Sequence, residues 1–478
     1  MRKKIGGIEL YARRIIFVAL LGLILIFTLG KLVMAQVCER IVPYVSPPIN
    51  YPPEKRDGHA LISSMGGNEQ FLFGGFGQNT NLWILRYEGD NWRWEYRVAQ
   101  GTAPTTRGGH SGIFVPGMGA QDYIIVFGGS QSFLGVVTDS TTYKLEDPWN
   151  WGSTWEILTT TGTVPSARAE HTAVYDFNTN KMVVFGGYTG GSPVSASAET
   201  YFLDFGVDLS TWTEVYPSNS PPARYGHTAV WGAGNTMVFG GKDDSGDLLN
   251  DCWKLQFSPA NWEEINVTGD KPPARWQHSA VWIDPLPEEP GGMLIFGGED
   301  ENRKYLDDFW ILRQPGPMDP PNVWRWERID PIGDLPSGRR GHAAGTGWGL
   351  KGERTMYIFG GFDGNDNLND IYAFFKGGEI EESLEKKPFN APNPFDPDRQ
   401  DTKICYYLDE DDDDVKIKLF TLTGELVYSW ENISGRKGMN DESWDGRNEK
   451  GRIVENGGYI CLIEAGGKKQ KCKIAVLR

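Results

Sequence analysis

The stretch Pro222-Ala223-Arg224-Tyr225-Gly226-His227, followed one short apolar segment later by Phe239-Gly240-Gly241, returns in related form throughout the chain. Each copy has an arginine and, three residues later, a histidine, a pattern that we call the repeat phrase. The copies are Arg56 and His59, Arg107 and His110, Arg168 and His171, Arg224 and His227, Arg275 and His278, and Arg339 and His342. They contain all 6 histidines of the chain. Self-similarity at roughly 50 to 60 residues is typical of propellers and solenoids.

The fourth copy shows what one repeat contains. His227–Trp231 and Thr236–Phe239 predict two strands, Asp251–Leu255 predicts a third by apolar alternation, and Trp262–Ile265 predicts a fourth. The double glycine ends the second strand, where the backbone needs φ values that glycine adopts at little cost. Four strands per repeat, with a double glycine and a late tryptophan, predict one blade of a β-propeller.

These repeats resemble the kelch repeat over most of the chain. The resemblance rests on the arginine and histidine, the double glycine, pairs such as Asn250-Asp251 before the third strand, and a fourth-strand tryptophan. The matching tryptophans are Trp94, Trp155, Trp212, Trp262 and Trp326. The resemblance implies an all-β fold in which residues 36–378 form a six-bladed kelch-type β-propeller.

The sixth repeat has no fourth strand of its own. Its third strand, Ile371–Phe374, runs into Gly377-Gly378 without a tryptophan segment. Near the start of the predicted mature chain, Cys38–Ile41 matches Trp326–Ile329 of the fifth repeat. We therefore expect residues of about 37–45 to complete the sixth blade, because ring closure removes exposed strand edges.

Residues 1–35 have the layout of a secretory signal peptide. Basic residues precede an apolar run, Ile15–Leu29, and Val33-Met34-Ala35 offers small residues suited to cleavage. The length of the run leaves an uncleaved N-terminal anchor open. The segment predicts a secreted, periplasmic or outer cell-surface protein whose only membrane contact is this segment or an export machinery.

Composition excludes several classes of function. The net charge of −16 disfavours nucleic acid, whose phosphates would be repelled. No nucleophile elbow, phosphate loop or zinc spacing occurs. Two acidic stretches, Asp363–Asn367 and Asp409–Asp414, contain oxygen ligands that suit Ca²⁺, but the first lacks the later bidentate glutamate and both are interpreted as polar loops. We expect no metal and no cofactor.

The last part of the chain differs from the repeats. Residues 379–388 form a charged linker, and in residues 389–478 alternating segments predict a small β-sandwich. This module resembles the immunoglobulin-like domain of the flagellar hook-capping family, through Pro392-Asn393-Pro394-Phe395, Trp444-Asp445-Gly446-Arg447-Asn448 and the closing Lys473-Ile474-Ala475-Val476. The resemblance implies a bacterial protein and a role of the module in export, anchoring or assembly.

Three cysteines lie in this module. A hairpin turn at Gly466-Gly467 would place Cys461 opposite Cys472, at a separation that permits a disulfide. Cys405 could compete for either partner. The alternative, which we favour, is that all three are reduced core residues.

The twelve arginines and histidines of the repeat phrase are interpreted as structural. A residue present in every blade is expected to hold the start of the inner strand and to satisfy buried backbone groups, which every blade needs. Candidates for ligand binding are Trp149, Trp151 and Trp324, extra aromatic residues in loops of the second and fifth repeats. They could stack on a sugar or a peptide, or simply cover the end of a blade.

The sequence therefore predicts a binding protein whose partner is an extracellular protein or glycan. The alternative is a carbohydrate-active enzyme, since some kelch propellers resemble sugar oxidases and sialic-acid epimerases. The copper site of galactose oxidase needs histidine ligands, and none is left over once the blade positions are filled. An acidic residue and an unmatched arginine converging on one pocket would favour the enzyme, whereas a flat aromatic face would favour binding.

Overall fold

The computed structural model describes residues 36–45, 52–376 and 389–478, apart from short loop segments. Those segments are 68, 79, 89–90, 119–120, 134, 136–138, 191–194, 206–209, 258, 286–289, 317–322, 349–353, 392–394, 399–400, 409, 437 and 466. The predicted signal segment 1–35 and linker 379–388 lie outside the described residues. Residues 35–377 form one compact unit, and residues 378–478 belong to another. None of the described residues belongs to a helix long and apolar enough to cross a membrane.

Among its described residues, the larger unit contains six sheets of four or five strands, each of which is one blade of a β-propeller, and a separate two-stranded sheet. The strand preceding the blades is β1 (Gln36–Ile41). The first blade contains β2 (Tyr44–Val45), β3 (Ala60–Ser63), β4 (Glu69–Phe73), β5 (Leu82–Glu88) and β6 (Asn91–Arg97). The second contains β7 (Gln100–Gly101), β8 (Ser111–Met118), β9 (Gln121–Phe127), β10 (Thr142–Glu146) and β11 (Thr154–Ile157). The third contains β12 (Thr160–Gly162), β13 (Thr172–Asp176), β14 (Lys181–Phe185), β15 (Thr200–Asp204) and β16 (Ser210–Val215).

The other three blades repeat this plan. The fourth contains β17 (Thr228–Gly232), β18 (Asn235–Phe239), β19 (Cys252–Phe257) and β20 (Ala260–Glu264). The fifth contains β21 (Val267–Thr268), β23 (Ser279–Ile283), β24 (Gly292–Phe296), β26 (Phe309–Arg313) and β27 (Trp324–Ile329), while β22 (Arg275–Trp276) and β25 (Glu299–Asp300) pair beside it. The sixth contains β28 (Ile332–Gly333), β29 (Ala343–Trp348), β30 (Arg354–Phe362) and β31 (Asn367–Lys376), together with β1.

The blades form a closed ring. The first strands of successive blades contact one another, and β29 contacts β3. The fourth-strand position of the sixth blade belongs to β1, which lies between β28 and β31 and pairs antiparallel with β31 from Gln36 opposite Lys376 to Ile41 opposite Ile371. This is the place that the sequence indicates for the segment. The first segment of the propeller thus supplies the strand that the last repeat lacks.

Fourth-strand tryptophans form the core between blades. Each packs against the phenylalanine of Phe-Gly-Gly in the preceding blade, with ring centroids 4.8–5.4 Å apart. In the sixth blade Cys38 stands opposite Phe374, as Trp326 stands opposite Leu312 in the fifth. Cys38 is fully buried, so this smaller residue continues the core.

The C-terminal unit contains two sheets. One consists of β32 (Phe389–Ala391), β33 (Thr402–Leu408) and β36 (Gly438–Trp444), and the other of β34 (Asp412–Thr421), β35 (Leu426–Gly435), β37 (Gly457–Ala465) and β38 (Lys468–Val476). A single apolar core takes residues from both sheets, including Ile404, Trp444, Ile417 and Ile463. Strand β34 begins at Asp412, so the acidic stretch that the sequence presents as a loop is partly strand.

Cys461 and Cys472 are direct cross-strand partners on β37 and β38. Both are free thiols, and Cys461 is buried. A hydrogen bond between them raises the pKa of Cys461, which burial raises further, and lowers the pKa of Cys472. The side chain of Cys405 lies outside what the structure describes.

Candidate functional site at one end of the propeller axis

The two ends of the propeller axis differ in what they present. The histidine end carries the repeat phrases and the residues that follow the double glycines. The hairpin end carries the turns between the first and second strands of the blades. The backbone of each repeat phrase pairs with the residue after the double glycine of its own blade, as Gly108 does with Ser130 and Tyr225 with Lys242.

The arginines of the repeat phrase are buried and hold their own blades together. Each is at most 2% exposed, and its Nη1 donates a hydrogen bond of 2.8–3.0 Å to the carbonyl of the first glycine of the double glycine. Five of them also bond a carboxylate just before or near the start of the third strand at 2.5–3.0 Å. Those carboxylates are Asp139, Glu199, Asp251, Asp308 and Asp370. In the first blade the equivalent position is Asn81.

The histidines join neighbouring blades. Each ring packs edge-on against the Phe-Gly-Gly phenylalanine of the preceding blade, with centroids 5.2–5.5 Å apart. In four blades Nε2 also bonds the Ser or Thr hydroxyl that follows the preceding histidine, at 2.8–2.9 Å. In the first blade the equivalent of that Ser or Thr is Ala60, so His110 has no such hydroxyl, and its ring hydrogen-bonds the backbone of Arg107 instead. Burial lowers the pKa of every one of these histidines, to about 3 for His110, so they are neutral at pH 7.

The residue before each histidine belongs to a closed ring of backbone hydrogen bonds around the axis. Each N–H donates to the carbonyl of its counterpart in the preceding blade at 2.7–2.9 Å, and all have φ between 51° and 64°. We call this the axial ring, and its members are Gly58, Gly109, Glu170, Gly226, Gln277 and Gly341. Positive φ favours glycine. Glu170 and Gln277 therefore bear conformational strain that the other four positions avoid.

The residue after each arginine forms a second circle at this end, and it differs in every blade. We call this circle the rim, and its members are Asp57, Gly108, Ala169, Tyr225, Trp276 and Arg340. The arginine, histidine and double glycine are constant because they hold the blades. At this end of the axis, the chemical differences between blades therefore lie on the axial ring and the rim.

A polar cluster breaks the sixfold repeat at this end. Gln277 hydrogen-bonds the carboxyl group of Glu170, and Arg340 Nη1 donates to Gln277 Oε1 at 2.5 Å. Arg340 Nε lies 3.1 Å from Oε2 of Glu299. Burial raises the pKa of Glu170 to about 7, although Gln277 and Arg340 oppose the shift. Burial also raises the pKa of Asp57, against an opposing effect of Arg340.

Aromatic rings surround this cluster. Phe133, in the loop after the second blade's double glycine, contacts Phe76 of the first blade and Trp276 of the fifth, with centroids 5.7 and 6.0 Å away. The guanidinium of Arg340 lies 4.7 Å from the centre of the Phe133 ring. Phe133 is 37% exposed, so it reaches across this end of the axis without closing it. Below it, the histidines and the axial ring line a cavity of about 120 Å³.

The hairpin end has a wider cavity of about 500 Å³. Its wall is mainly apolar and includes Met65 and Phe177, which are 66% and 50% exposed. Asp284 and Arg354, which also line it, form an ion pair at 2.5 Å.

The three tryptophan candidates lie in different settings. Trp324 is 5% exposed and packs against Trp282, so it has no free face for stacking in this structure. Trp149 is partly buried, with its ring 4.8 Å from Phe71. Trp151 is 65% exposed, but the guanidinium of Arg97 covers its ring at 3.8 Å. Burial and packing therefore make Trp324 unsuitable as a binding residue, and the structure does not bring the three together.

The feature that would favour an enzyme, an acidic residue beside an unmatched arginine, and the feature that would favour binding, an aromatic face, occur side by side. The acidic Glu170 and the unmatched Arg340 belong to one cluster, and aromatic rings surround them. No group of three or more His, Cys, Asp or Glu side chains suited to a metal occurs among the described residues. The possible calcium loop at Asp363 is an ordinary turn, in which the backbone N–H groups of Asn365 and Asp366 bond its own carboxylate at 2.9 Å.

The axial ring was not predicted from the sequence, because the two residues between arginine and histidine were assigned no role in the repeat phrase. Alignment of the six phrases on their histidines shows glycine four times in the last of these positions, and Glu170 and Gln277 as the exceptions. A non-glycine residue at a position that is otherwise glycine was the sequence signal that could have pointed to this site.

Comparisons with known proteins agree with this fold. A family model described as "KLHDC2/KLHL20/DRC7 Kelch-repeats domain" matches residues 120–286 and 261–384. The leucine-zipper-like transcriptional regulator 1 homolog of Drosophila melanogaster is 28% identical over 255 residues, which are 52% of this chain and 23% of that protein. An F-box/kelch-repeat protein of Arabidopsis thaliana is 29% identical over 299 residues, which are 56% of this chain and 57% of that protein. The match thus spans less than two thirds of these relatives.

A solved structure of YjhT is 15% identical and covers 67% of this chain and 95% of its own, with a TM-score of 0.48. The family match spans more than half of the chain. Residues 36–376 have the six closed blades that such repeats build. The chain therefore belongs to the kelch-repeat family and contains a kelch β-propeller.

Proposed function

We propose that this protein is a secreted or cell-surface bacterial binding protein whose propeller binds another protein at the histidine end of its axis. In this proposal the C-terminal unit serves export, anchoring or assembly. The N-terminal basic and apolar segment and the resemblance of residues 389–478 to a module of secreted bacterial proteins support the location. Kelch-repeat proteins are generally interaction proteins, which supports the class of function.

One observation carries the choice of the histidine end. Six blades repeat the same arginine, histidine and double glycine, whereas the axial ring and the rim differ from blade to blade. At two ring positions the chain bears the strain of a non-glycine residue at positive φ. Strain of this kind collects at functional sites, because side chains there serve something other than stability.

The shape of this end favours a protein partner over a glycan. Pockets for small molecules usually have volumes of roughly 300–1,000 Å³. The cavity of about 120 Å³ is well below that range and suits the end of one side chain. The exposed Phe133 and the rim around it offer aromatic and charged contacts for the surrounding surface of a partner.

The test is a screen of the full chain against a displayed peptide library and a glycan array. Any binder is then tested against Glu170→Gly with Gln277→Gly, which gives the ring the residue that the other four blades have. Met65→Ala, at the hairpin end, is the matched control. We expect peptide binders that lose at least tenfold in affinity with the double variant and are unchanged with the control. Binders that respond only to Met65→Ala, or binding only to glycans, would overturn the proposal.

The carbohydrate-active enzyme is the second candidate, and the pKa of Glu170 supports it. A carboxyl group with a pKa of about 7 is suited to proton transfer near neutral pH. Against it, Arg340 is already held by Gln277 and Glu299. Product analysis of any sugar that binds on the array distinguishes the two functions. If the protein converts the sugar and Glu170→Gln abolishes the conversion, the protein is an enzyme.

A further inference from the structure

We propose that the cavity inside the axial ring binds a basic side chain of the partner, a lysine ammonium or an arginine guanidinium, at the carboxyl group of Glu170, with Asp57 on the rim adding negative charge nearby. This inference rests on the proposed function and names the chemistry of the group that enters the ring.

The first support is the position of Glu170. Its backbone is fixed by the ring, since its N–H donates to Gly109 and its carbonyl accepts from Gly226. A Cβ atom placed on Gly109 would lie 2.9 Å from Oε1 of Glu170, so the carboxyl group extends over that glycine. Glycine at position 109 thus leaves the space that the carboxyl group occupies. Glu170 and the ring glycines line the small cavity together.

The second support is a ring nitrogen with an unused lone pair in the same cavity. His110 lines the cavity and is 7% exposed; its ring hydrogen-bonds the backbone of Arg107 but, unlike the rings of four other histidines, has no hydroxyl partner. With a pKa of about 3 its imidazole is neutral at pH 7, so it carries a lone pair that can accept a hydrogen bond. An N–H donor from a partner fits such a lining, whereas an anion meets no protonated histidine there.

The third support is the balance of charge around Glu170. Acidic groups at this end are Asp57 and Glu299, with Asp243 and Asp244 close enough to Tyr225 to raise its pKa. The basic groups are Arg340, paired with Glu299, and Lys242, whose Nζ lies 5.0 Å from the centre of the Trp276 ring. The six arginines of the repeat phrase also lie at this end, and five of them are each paired with a carboxylate. The remaining titratable groups that face Glu170 are the neutral histidines and the hydroxyls of Tyr188 and Tyr225. Acidic groups outnumber basic ones, which favours a cation.

Aromatic rings complete the site. Phe133, Trp276 and Tyr225 stand around the cluster, and the faces of Phe133 and Trp276 already attract the cations of Arg340 and Lys242. Aromatic faces therefore stabilise positive charge at this end of the axis.

Binding of a cation is coupled to the proton on Glu170. A neighbouring positive charge favours the carboxylate, so the partner's cation displaces that proton. Because Glu170 has a pKa of about 7 in the unbound protein, affinity should fall as pH drops below that value. Between pH 8 and pH 6 the ionised fraction falls about tenfold, and the affinity should fall by about the same factor.

The experiment measures binding of three blocked tripeptides to the full chain by NMR titration: acetyl-Gly-Lys-Gly-amide and its counterparts with Gln or Glu in place of Lys. We expect the Lys peptide to bind at least tenfold more tightly than either counterpart at pH 8, and about tenfold more weakly at pH 6. Glu170→Gln should remove both the preference and the pH dependence, and Asp57→Asn should weaken binding. Asp284→Asn, at the hairpin end, is the control and should change nothing.

Equal binding of the three peptides, a preference for Glu, or unchanged binding to Glu170→Gln would overturn the inference. Thermal unfolding of each variant identifies loss of fold, and Glu170→Gly provides a second variant that keeps the ring backbone. If library binders depend on the ring but place no basic residue in it, only this inference fails. If they do not depend on the ring at all, the proposed function fails with it.

Discussion

Nη1 of Arg340 donates a hydrogen bond of 2.5 Å to Oε1 of Gln277, although 63 residues separate the two in the chain. Gln277 stands where four of the six blades have glycine, and Arg340 stands on the rim of the next blade. The bond therefore exists only because the symmetric scaffold departs from its own pattern in two neighbouring repeats. It also leaves the amide of Gln277 oriented towards Glu170.

The first prediction concerns ring closure. A chain that lacks residues 36–45 loses β1 of the sixth blade and β2 of the first, and exposes the buried side chains of Tyr372 and Phe374. We expect the melting temperature to fall by roughly 10 °C or more, because a lost strand costs several kcal/mol in a domain of this size. A chain that begins at Gln36 is the control for removal of the preceding segment. Equal melting temperatures of the two chains would contradict this account.

The second prediction concerns the double glycines. A Cβ atom on Gly128 would lie 2.5 Å from the carbonyl oxygen of Arg168 and 2.6 Å from Cε1 of His171. Gly128→Ala should therefore lower the free energy of unfolding by at least about 3 kcal/mol, through strain and collision with the next blade. Gly77→Ala is the control, because Gly77 has a similar φ of 72° but open space around it, and should cost about 1 kcal/mol. Denaturant unfolding of both variants measures the difference.

Much of this architecture could be predicted from the sequence because each blade is a local unit. Strand periodicity, the double glycine and the tryptophan lie within one repeat, and the similarity of Cys38–Ile41 to Trp326–Ile329 indicated the exchanged strand. The parallel strands β2, β7, β12, β21 and β28 went unpredicted, because two- or three-residue pairings carry no periodicity. The axial ring was also missed. Its bond from Gly58 to Gly341 joins residues far apart in the chain, and only the folded ring shows that the two residues before each histidine face the axis.

The third prediction concerns Arg56, whose blade has Asn81 where the other blades have a carboxylate. Burial lowers the pKa of Arg56 to about 10. Asn81→Asp should supply the missing charge and raise the free energy of unfolding by about 1–2 kcal/mol at pH 7. Arginine lowers the pKa of Asp251 and Asp308 at the same position, although burial opposes the shift.

A carboxyl group with a lowered pKa stabilises the fold above its unfolded pKa. The gain from Asn81→Asp should therefore persist at pH 6 and disappear as pH falls through the folded pKa, below 3.8. The matched variant Asp308→Asn removes the partner of Arg275 and should have the opposite sign. An unchanged or lower stability of Asn81→Asp at pH 7 would show that the first blade satisfies Arg56 in another way.

The fourth prediction concerns the effect of pH on stability through Glu170. Its pKa rises from 4.5 in the unfolded chain to about 7 in the fold, so the folded state holds a proton that the unfolded state releases between these values. Its contribution to stability is therefore fully present below pH 4.5 and is lost as pH rises through 7. Glu170→Gln removes this dependence. Relative to the parent chain, the variant should gain up to about 3 kcal/mol on going from pH 5 to pH 8. Chemical denaturation at both pH values, with Glu69→Gln as the control, measures the gain, and equal differences at the two pH values would show that Glu170 titrates normally.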